Sequence, residues 1–407
     1  MKIKSFLKDV GGASRVTKAR KAKFDNASGK NEYTDPINAL ARELHPGKMK
    51  VRITKVEEVS PTAKKFTFEA VEGKLPPFQA GNYVSFSFQI GETKTTRAYS
   101  ICSAPYQART GEHPFFEVTI RNGRPGQGFV STYCYENWKE GDIVIADLPY
   151  GHFYIEPLRD SKYIVGLAGG SGITPFYAMA QEIAHGTLDA DLTILYGSVS
   201  KKDIILVKQL TAVSKECKRV KFINVISGEG EKLEKGDEKG FISRELIAKY
   251  SLDGNPSNGK TTFFVCGPLP MYNFVAKELA ALNVPARRIR METFGAPKDI
   301  SKAEGYPVEL IDKVFKMTVV RGVQEDVIDA RADEPILVAL ERHGIATQSH
   351  CRSGECGYCR CKVLEGTFFV PSVGDGRRAA DKRFNYVHAC STYPTSDIKV
   401  RIPILDD

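Results

Sequence analysis

The feature that most constrains this chain is a group of cysteines near its C-terminal end. Five of the nine cysteines in the 407 residues fall within the last 57 positions. Three of these five, Cys351, Cys356 and Cys359, have the spacing C-x4-C-x2-C. A fourth, Cys390, is separated from Cys359 by 30 residues. A disulfide-bonded secreted protein would spread its cysteines more evenly and in pairs. The distribution therefore favours a local metal site in a reducing compartment.

This spacing is that of plant-type [2Fe-2S] sites, in which one loop supplies three thiolates and a distant segment supplies the fourth. Ser353, Gly354 and Gly357 are small enough to let backbone N–H groups point at the sulfurs. A structural zinc site is the alternative, but it would usually use two C-x2-C pairs, and one is present. We predict a [2Fe-2S] cluster on these four cysteines and interpret Cys361 as a packing residue.

Length and composition exclude several classes of protein. A chain of 407 residues is long enough for several domains, and 42% hydrophobic residues with 26% charged residues exclude a disordered chain. The N-terminus lacks the apolar run of a secretory signal. The most apolar stretch, residues 164–180, is interrupted by glycines and a proline. We therefore predict a cytoplasmic protein without a membrane span.

Residues 1–47 are set apart by charge, since eight lysines and arginines face two aspartates before residue 26. Such a run is typical of a solvated, mobile arm. Within it, the sequence predicts a short helix from Pro36 to Leu44, with Asp35 as its N-cap and its apolar residues on one face. That face would pack on the following domain or on a partner.

The rest of the chain shows three successive patterns. Residues 48–157 contain short strands, among them 83–90 and 115–121, separated by Gly and Pro turns, which predict an antiparallel β-barrel. Residues 158–296 alternate apolar strands with helices, including helices over 174–184 and 204–213, which predict a parallel sheet covered on both faces. After a linker at 297–312, residues 313–407 predict a compact α+β domain around the cysteine cluster. The predicted fold class is therefore multidomain.

Two motifs in the barrel region suit a flavin. The first offers an arginine for phosphate, an aromatic face for the ring and a donor near the site of hydride transfer. The second is a Gly-rich turn that opens a helix, where backbone N–H groups and a hydroxyl would hold a pyrophosphate. A surface turn and an ordinary helix cap are the alternatives. The presence of both motifs favours FAD over FMN. The first motif consists of Arg97, Ala98, Tyr99 and Ser100, and the second of Gly126, Gln127, Gly128, Ser131 and Thr132.

A third motif lies between an apolar strand and a helix of the second region. Its glycines would let the backbone approach a dinucleotide pyrophosphate, its threonine adds a hydroxyl, and its proline suits the first helical turn. A later strand ends in a Cys-Gly-Pro turn that can flank a nicotinamide, with a buried structural cysteine as the alternative. The residues concerned are Gly169, Gly170, Gly172, Thr174 and Pro175, and then Cys266, Gly267 and Pro268.

In this order, the motifs resemble the ferredoxin-NADP reductase superfamily, and within it the oxygenase-type electron-transfer reductases with a C-terminal plant-type ferredoxin domain. The resemblance covers residues 49–407. It implies a β-grasp-like C-terminal domain, with Arg97 on the flavin phosphate and Tyr99 stacked on the isoalloxazine.

The same resemblance implies a catalytic centre at Ser100, Cys266 and Glu292, with Ser100 near flavin N5 and Cys266 beside the nicotinamide. It places Glu292 and Phe294 near the dimethylbenzene side or the nicotinamide side of the flavin. In this family an arginine after the second apolar strand often marks NADPH users, and this chain has Val199 there. That departure favours NADH, although the lysines at 201 and 202 leave NADPH possible.

The electron count connects the three cofactors. A nicotinamide gives two electrons at once and a cluster takes one, whereas a flavin can hold either number. We therefore predict an oxidoreductase that passes electrons from NADH through FAD and a [2Fe-2S] cluster to a partner redox protein.

The predicted partner is a Rieske or di-iron oxygenase, with a hybrid-cluster protein, a cytochrome, a quinone or a small ferredoxin as further candidates. The net charge of +9 suits an acidic partner, and no motif points to nucleic acid. Two other functions stay open. One is a redox-sensing or interaction protein that docks through residues 1–47, and the other is a stand-alone NADH:flavin or quinone reductase.

Overall fold

The structure, a computed structural model, describes residues 3–27, 35–123, 128–297, 299–372 and 374–404. The chain divides into two compact units, Met1–His45 and Pro46–Asp407. Across the described ranges, no helix is both long and apolar enough to cross a membrane.

The N-terminal unit contains two helices, α1 (Ile3–Asp25) and α2 (Pro36–Leu44). The basic segment is therefore helical where an irregular arm was expected, and its side chains beyond residue 8 are almost all exposed. The predicted cap of α2 is confirmed. The Asp35 carboxylate accepts hydrogen bonds from the backbone N–H groups of Ile37 (3.0 Å) and Asn38 (3.3 Å). The apolar side chains of α2 are exposed.

An antiparallel sheet forms the first part of the second unit. Its strand order is β4-β3-β6-β1-β2-β5. A bridge between Ile101 and Val118 joins the two outer strands, so the sheet closes into the predicted barrel. A group of aromatic side chains, including Phe68 and Trp138, fills the interior. The elements are β1 (Lys48–Ser60), β2 (Ala63–Ala70), β3 (Tyr83–Ile90), β4 (Thr93–Ser100), β5 (Phe115–Arg121), α3 (Phe129–Asn137) and β6 (Ile143–Tyr150).

The second sheet is parallel throughout, with the order β10-β9-β8-β7-β11-β12. Helices α4 and α5 pack on one face and α6 and α7 on the other, which explains why its strands are apolar on both sides. The elements are β7 (Tyr163–Gly169), α4 (Thr174–His185), β8 (Asp191–Ser198), α5 (Val207–Glu216), β9 (Val220–Ile226), β10 (Glu238–Lys239), α6 (Arg244–Lys249), β11 (Thr261–Cys266), α7 (Leu269–Ala281) and β12 (Ile289–Glu292).

The helix predicted over 204–213 begins three residues later, at Val207. Residue Leu206 adopts a left-handed conformation with φ 58°, which is outside the helical region. Its side chain and those of Ile204 and Ile205 are buried in the core beneath the sheet. Tertiary packing therefore decides where α5 starts, whereas the apolar pattern of the sequence alone places its start three residues too early.

The third sheet is mixed, with the order β14-β13-β19-β15-β17, and α8 packs against it in the α+β arrangement predicted from sequence. The predicted linker packs on this domain, since Tyr306 joins a small core with Tyr393 and donates a hydrogen bond to the Ala332 carbonyl (3.0 Å). The elements are β13 (Val314–Arg321), β14 (Gln324–Arg331), α8 (Ile336–Arg342), β15 (Arg360–Glu365), β16 (Phe368–Phe369), α9 (Ala379–Arg383), β17 (Tyr386–His388), β18 (Tyr393–Pro394) and β19 (Ile398–Arg401).

Candidate active site

The four predicted cluster ligands come together although they lie on separate segments. Cys351, Cys356 and Cys359 occupy the loop between α8 and β15, and Cys390 lies in a 3-10 turn after β17. The Cys351 Sγ atom accepts backbone N–H groups of Ser353 and Cys356, each at 3.4 Å, and the Cys390 Sγ atom accepts that of Gly354 at 3.2 Å. Thiol hydrogen bonds from Cys356 and Cys390 lower the pKa of Cys351. Converging thiols with amide donors fit a [2Fe-2S] cluster.

Gly354 shows how tightly this loop is packed. Its φ is +83°, and a Cβ atom added there would lie 1.8 Å from the backbone oxygen of Gly374. The segment at 374–376 therefore covers the loop so closely that only glycine fits. Cys361 is buried in the adjacent core, in agreement with its predicted packing role.

The flavin motif of the barrel occupies the last four positions of β4. Arg97 lies partly buried there, and its guanidinium donates to the Thr95 hydroxyl and to the Thr96 carbonyl (2.7 Å). Burial and the neighbouring charge of Arg352 lower the pKa of Arg97 to about 10, so the side chain is still a cation at neutral pH. A partly buried cation next to a second cation is a site that a phosphate group would stabilise.

The other flavin residues are placed as follows. Tyr99 donates a hydrogen bond to the thiol of Cys134 on α3, and Ala98 precedes it on β4. The Ser131 hydroxyl donates to the Gly128 carbonyl (2.9 Å) rather than standing free, and Thr132 lies in the first turn of α3. Gly126 and Gln127 fall outside the described residues. The start of α3 presents backbone N–H groups that fit a pyrophosphate.

The predicted dinucleotide loop lies at the point where the strand order of the parallel sheet reverses. From there β7 leads to α4 on one face of the sheet and β11 leads to α7 on the other, and such a point is where sheets of this kind bind ligands. A Cβ atom on Gly172 would lie 2.1 Å from the Cys266 carbonyl oxygen, so the two loops approach each other through glycine. The Thr174 hydroxyl donates to the Ser171 carbonyl (2.9 Å), and Pro175 follows in the first turn of α4. Gly169, Gly170, Gly267 and Pro268 complete this pair of loops.

The structure brings the three predicted catalytic residues to one place. Cys266 and Glu292 are partners on neighbouring strands, and Ser100 is paired with Tyr83 in the barrel. A Cβ atom at Gly151 would lie 2.9 Å from the Tyr83 ring and 3.4 Å from the Glu292 carboxylate, so one small site contains these groups.

Glu292 is buried, and its Oε2 atom has no hydrogen-bond partner among the described residues. Burial and the charges of Glu355 and Cys351 raise the pKa of Glu292 well above its usual range. Burial and Glu292 likewise raise the pKa of the Cys266 thiol. The Cys266 thiol is therefore uncharged at pH 7, and burial favours the protonated form of Glu292. A buried carboxyl group without a hydrogen-bond partner is available to bind a polar group of a ligand, such as the amide of a nicotinamide.

A row of aromatic side chains connects the three domains, and of its members sequence analysis identified only Phe294. Tyr83 lies 6.0 Å from Phe294, centroid to centroid, and 5.9 Å from Tyr150. Tyr150 in turn stacks on His350 at 4.2 Å, and His350 contacts Tyr358 at 4.1 Å. The row runs from the barrel to the residues beside Cys351. No local pattern in the sequence marks it, because its contacts, apart from that of His350 with Tyr358, join residues 67 to 211 positions apart.

A polar interface also holds the cysteine loop against the barrel. The buried Glu341 binds Arg352 through two hydrogen bonds (2.6 and 2.8 Å) and accepts one from the Thr95 hydroxyl (2.9 Å). In parallel, the Thr293 hydroxyl donates to Glu355 (2.8 Å). These contacts place the cluster ligands next to β4 and next to the end of β12.

The position predicted to select the nicotinamide cofactor is Val199, which is 64% exposed at the end of β8. Lys201, considered as a partner for a 2′-phosphate, already pairs with Glu234 (3.1 Å) and Asp237 (2.9 Å). Hydrogen bonds and charges from these carboxylates raise the pKa of Lys201, so it stays protonated. Their negative charges offset its positive charge. The local charge therefore disfavours a second phosphate.

Comparison with known proteins assigns a family model to each of the three sheets. The oxidoreductase FAD-binding domain matches residues 50–155, the oxidoreductase NAD-binding domain matches 167–277, and the 2Fe-2S iron-sulfur cluster binding domain matches 321–395.

Two curated relatives align over most of the chain. The NADH oxidoreductase HCR of Escherichia coli (strain K12) is 28% identical over 327 residues, which are 79% of this chain and 88% of the relative. The glycine betaine monooxygenase reductase subunit of Chromohalobacter salexigens is 23% identical over 367 residues, covering 87% of this chain and 95% of the relative. The solved structure of phthalate dioxygenase reductase has the same fold, with a TM-score of 0.61 and 21% identity over 88% of this chain and 98% of that one.

Proposed function

We propose an oxygenase as the electron acceptor of this chain, which belongs to the ferredoxin-NADP reductase superfamily and ends in a [2Fe-2S] domain. The chain is an NADH-dependent oxidoreductase with binding domains for FAD, NAD and a 2Fe-2S cluster. The relatives that are named as monooxygenase reductase subunits support an oxygenase partner. The nine cysteines are all free, which supports our prediction of a reducing compartment such as the cytoplasm.

One observation carries the proposal. The loop with three of the cluster cysteines packs against the flavin strand β4 and against the end of β12 in the nucleotide-binding sheet. The predicted sites for the nicotinamide, the flavin and the cluster are therefore adjacent to one another. Bound FAD supplies the conversion between two-electron and one-electron chemistry that a nicotinamide donor and an iron-sulfur acceptor require.

We infer the following roles for the residues of this chain. Arg97 binds a flavin phosphate as a partly buried cation, and Tyr99 covers the ring. The glycines at 170 and 172 let a pyrophosphate approach the backbone, while the buried groups of Cys266 and Glu292 orient the nicotinamide and exclude water. No strong acid or base is required, because the work of these residues is positioning.

Stopped-flow mixing of the oxidised holoprotein with NADH tests this function. We expect the flavin absorbance to bleach first and the cluster absorbance to follow, because the nicotinamide loop faces the flavin site and the cysteines lie beyond it. A cluster that bleaches while the flavin stays oxidised, or a protein that NADH does not bleach at all, would rule out the proposed order of electron flow.

The charges around Lys201 predict a preference for NADH. We expect kcat/KM for NADH to exceed that for NADPH by about tenfold or more, because two carboxylates already pair with Lys201, one of the two lysines considered for a 2′-phosphate. Replacing Glu234 with Gln and Asp237 with Asn releases Lys201 and should improve kcat/KM for NADPH by about fivefold, with little change for NADH. The matched control is Glu229→Gln on the same exposed loop, and an equal gain in that control would contradict the assignment to Lys201.

A further inference from the structure

An open groove lies on the ferredoxin domain beside the cysteine loop. It has a volume of about 600 Å³. Its lining comes from the cysteine loop with Cys356 and Tyr358, from strands β15, β17 and β19, and from the two residues that follow β19. Tyr358 is 42% exposed, so an aromatic surface is available to a partner there.

The charged residues that line this groove are all cations: Arg360, Lys362 and Arg401. Arg360 is partly satisfied, since it pairs with Asp381 (2.6 Å) and lies over the Tyr386 ring (3.6 Å). Within the described part of the chain, Lys362 and Arg401 have no salt bridge. The two are also direct partners across β15 and β19. Like charges in such register cost stability, and an anionic partner would recover that cost.

The groove is continuous with the cluster site. Three of the four predicted ligands are buried, whereas Cys356 is half-buried and forms part of the groove wall. The other side of the cysteine loop packs on the barrel through Glu341 and Arg352. A partner seated in the groove would therefore contact the cysteine loop at its one half-buried predicted ligand, Cys356.

We propose that this groove docks an acidic segment of the electron-acceptor protein, with Lys362 and Arg401 as its charge-recognition pair. The inference rests on the proposed function and adds to it where the partner binds and what charge the partner carries. Attraction between these two cations and the acidic segment would increase the rate of encounter and would hold the acceptor's redox centre next to Cys356.

Binding of a fluorescein-labelled decaglutamate peptide to the holoprotein tests the groove without electron transfer. The variant Lys362→Glu/Arg401→Glu keeps two like charges in register, so the cost to the sheet is unchanged while the sign is reversed. We expect its affinity for the peptide to be about tenfold weaker than that of the wild type. The matched control Lys277→Glu/Lys313→Glu changes the net charge equally at exposed positions elsewhere and should lose less than about twofold.

Electron transfer provides the second measurement. At low salt, we expect the Lys362→Glu/Arg401→Glu variant to reduce an acidic rubredoxin about tenfold more slowly than the wild type, but to reduce basic cytochrome c at least as fast. The neutral variant Lys362→Gln/Arg401→Gln should fall between the two for rubredoxin. Equal slowing with both carriers, unchanged reduction of rubredoxin, or an equal loss of peptide affinity in the control would overturn the proposal. So would tighter binding of a single-stranded oligonucleotide than of the peptide.

These measurements separate the two proposals. A wild-type protein whose flavin is bleached by NADH but which reduces neither carrier refutes the proposed function, while the peptide affinities still test the groove. A wild type that reduces rubredoxin as fast as the charge-reversed variant refutes the groove alone.

Discussion

Replacing Cys356 with serine is expected to reduce NADH-driven electron transfer to a one-electron protein acceptor by about 100-fold or more. The same variant should still reduce ferricyanide with NADH within about threefold of the wild-type rate, because that dye accepts electrons from a flavin. The physical reason is that Cys356 supplies one of four thiolates and its loss leaves an iron with incomplete coordination. Loss of the cluster absorbance, at unchanged flavin content, is the accompanying measurement.

Cys356 is the best of the four ligands for this test. Cys359 and Cys390 belong to the buried core of the ferredoxin domain, whereas Cys356 is half-buried on the loop. Its replacement therefore disturbs packing least. The control is Cys361→Ala, which removes a buried sulfur from the same core without removing a predicted ligand. If this control loses the cluster to the same extent, the assignment of ligands is wrong.

Replacing Arg97 with alanine should weaken FAD binding by about 10- to 100-fold, which corresponds to about 1.5 to 3 kcal/mol for a hydrogen bond to a charged group. Arg97 is a partly buried cation in the second half of β4, where burial and Arg352 lower its pKa to about 10. Without it, a phosphate at this place would lose the counter-charge that the flavin motif supplies. All NADH-dependent activities should fall together, and they should recover when FAD is added in excess.

Flavin fluorescence during titration of the deflavinated protein measures this affinity directly. Arg97→Lys should retain part of the binding, since a lysine keeps the charge but loses the planar pair of donors. Arg109→Ala, an exposed arginine of the same domain, is the matched control. Thermal unfolding must be measured as well, because Arg97 also binds Thr95, whose hydroxyl donates to Glu341. Wild-type FAD affinity in Arg97→Ala would contradict the predicted role.

Much of the architecture could be predicted because it depends on short-range patterns. The strands at 83–90 and 115–121 begin and end where the sequence predicts them, since alternating apolar residues and flanking turns are local signals. The cap at Asp35 is equally local. The cysteine spacing alone predicted a [2Fe-2S] domain, and the family match over 321–395 confirms that domain. The four cluster ligands, the domain boundaries and the roles of the other site residues stay predictions.

What sequence analysis missed depends on residues that are distant along the chain. The hydrogen bond between Thr95 and Glu341 spans 246 positions, and nothing near either residue indicates its partner. The same is true of the stacking of Tyr150 on His350. Cofactor preference is a third case, because the two carboxylates that neutralise Lys201 lie in a different loop.

By itself, the amino-acid sequence determined which chemistry this protein carries: thiolates for a cluster, a cation and aromatic ring for a flavin, and glycines for a pyrophosphate. These depend on residue type and close spacing, which a linear chain displays directly. Only the tertiary structure decided how the three sites face one another, which carboxylates neutralise which cations, and that Lys362 and Arg401 share one groove beside Cys356. Such relations arise when strands pair and domains pack, because folding brings together groups whose separation along the chain carries no information about their distance in space.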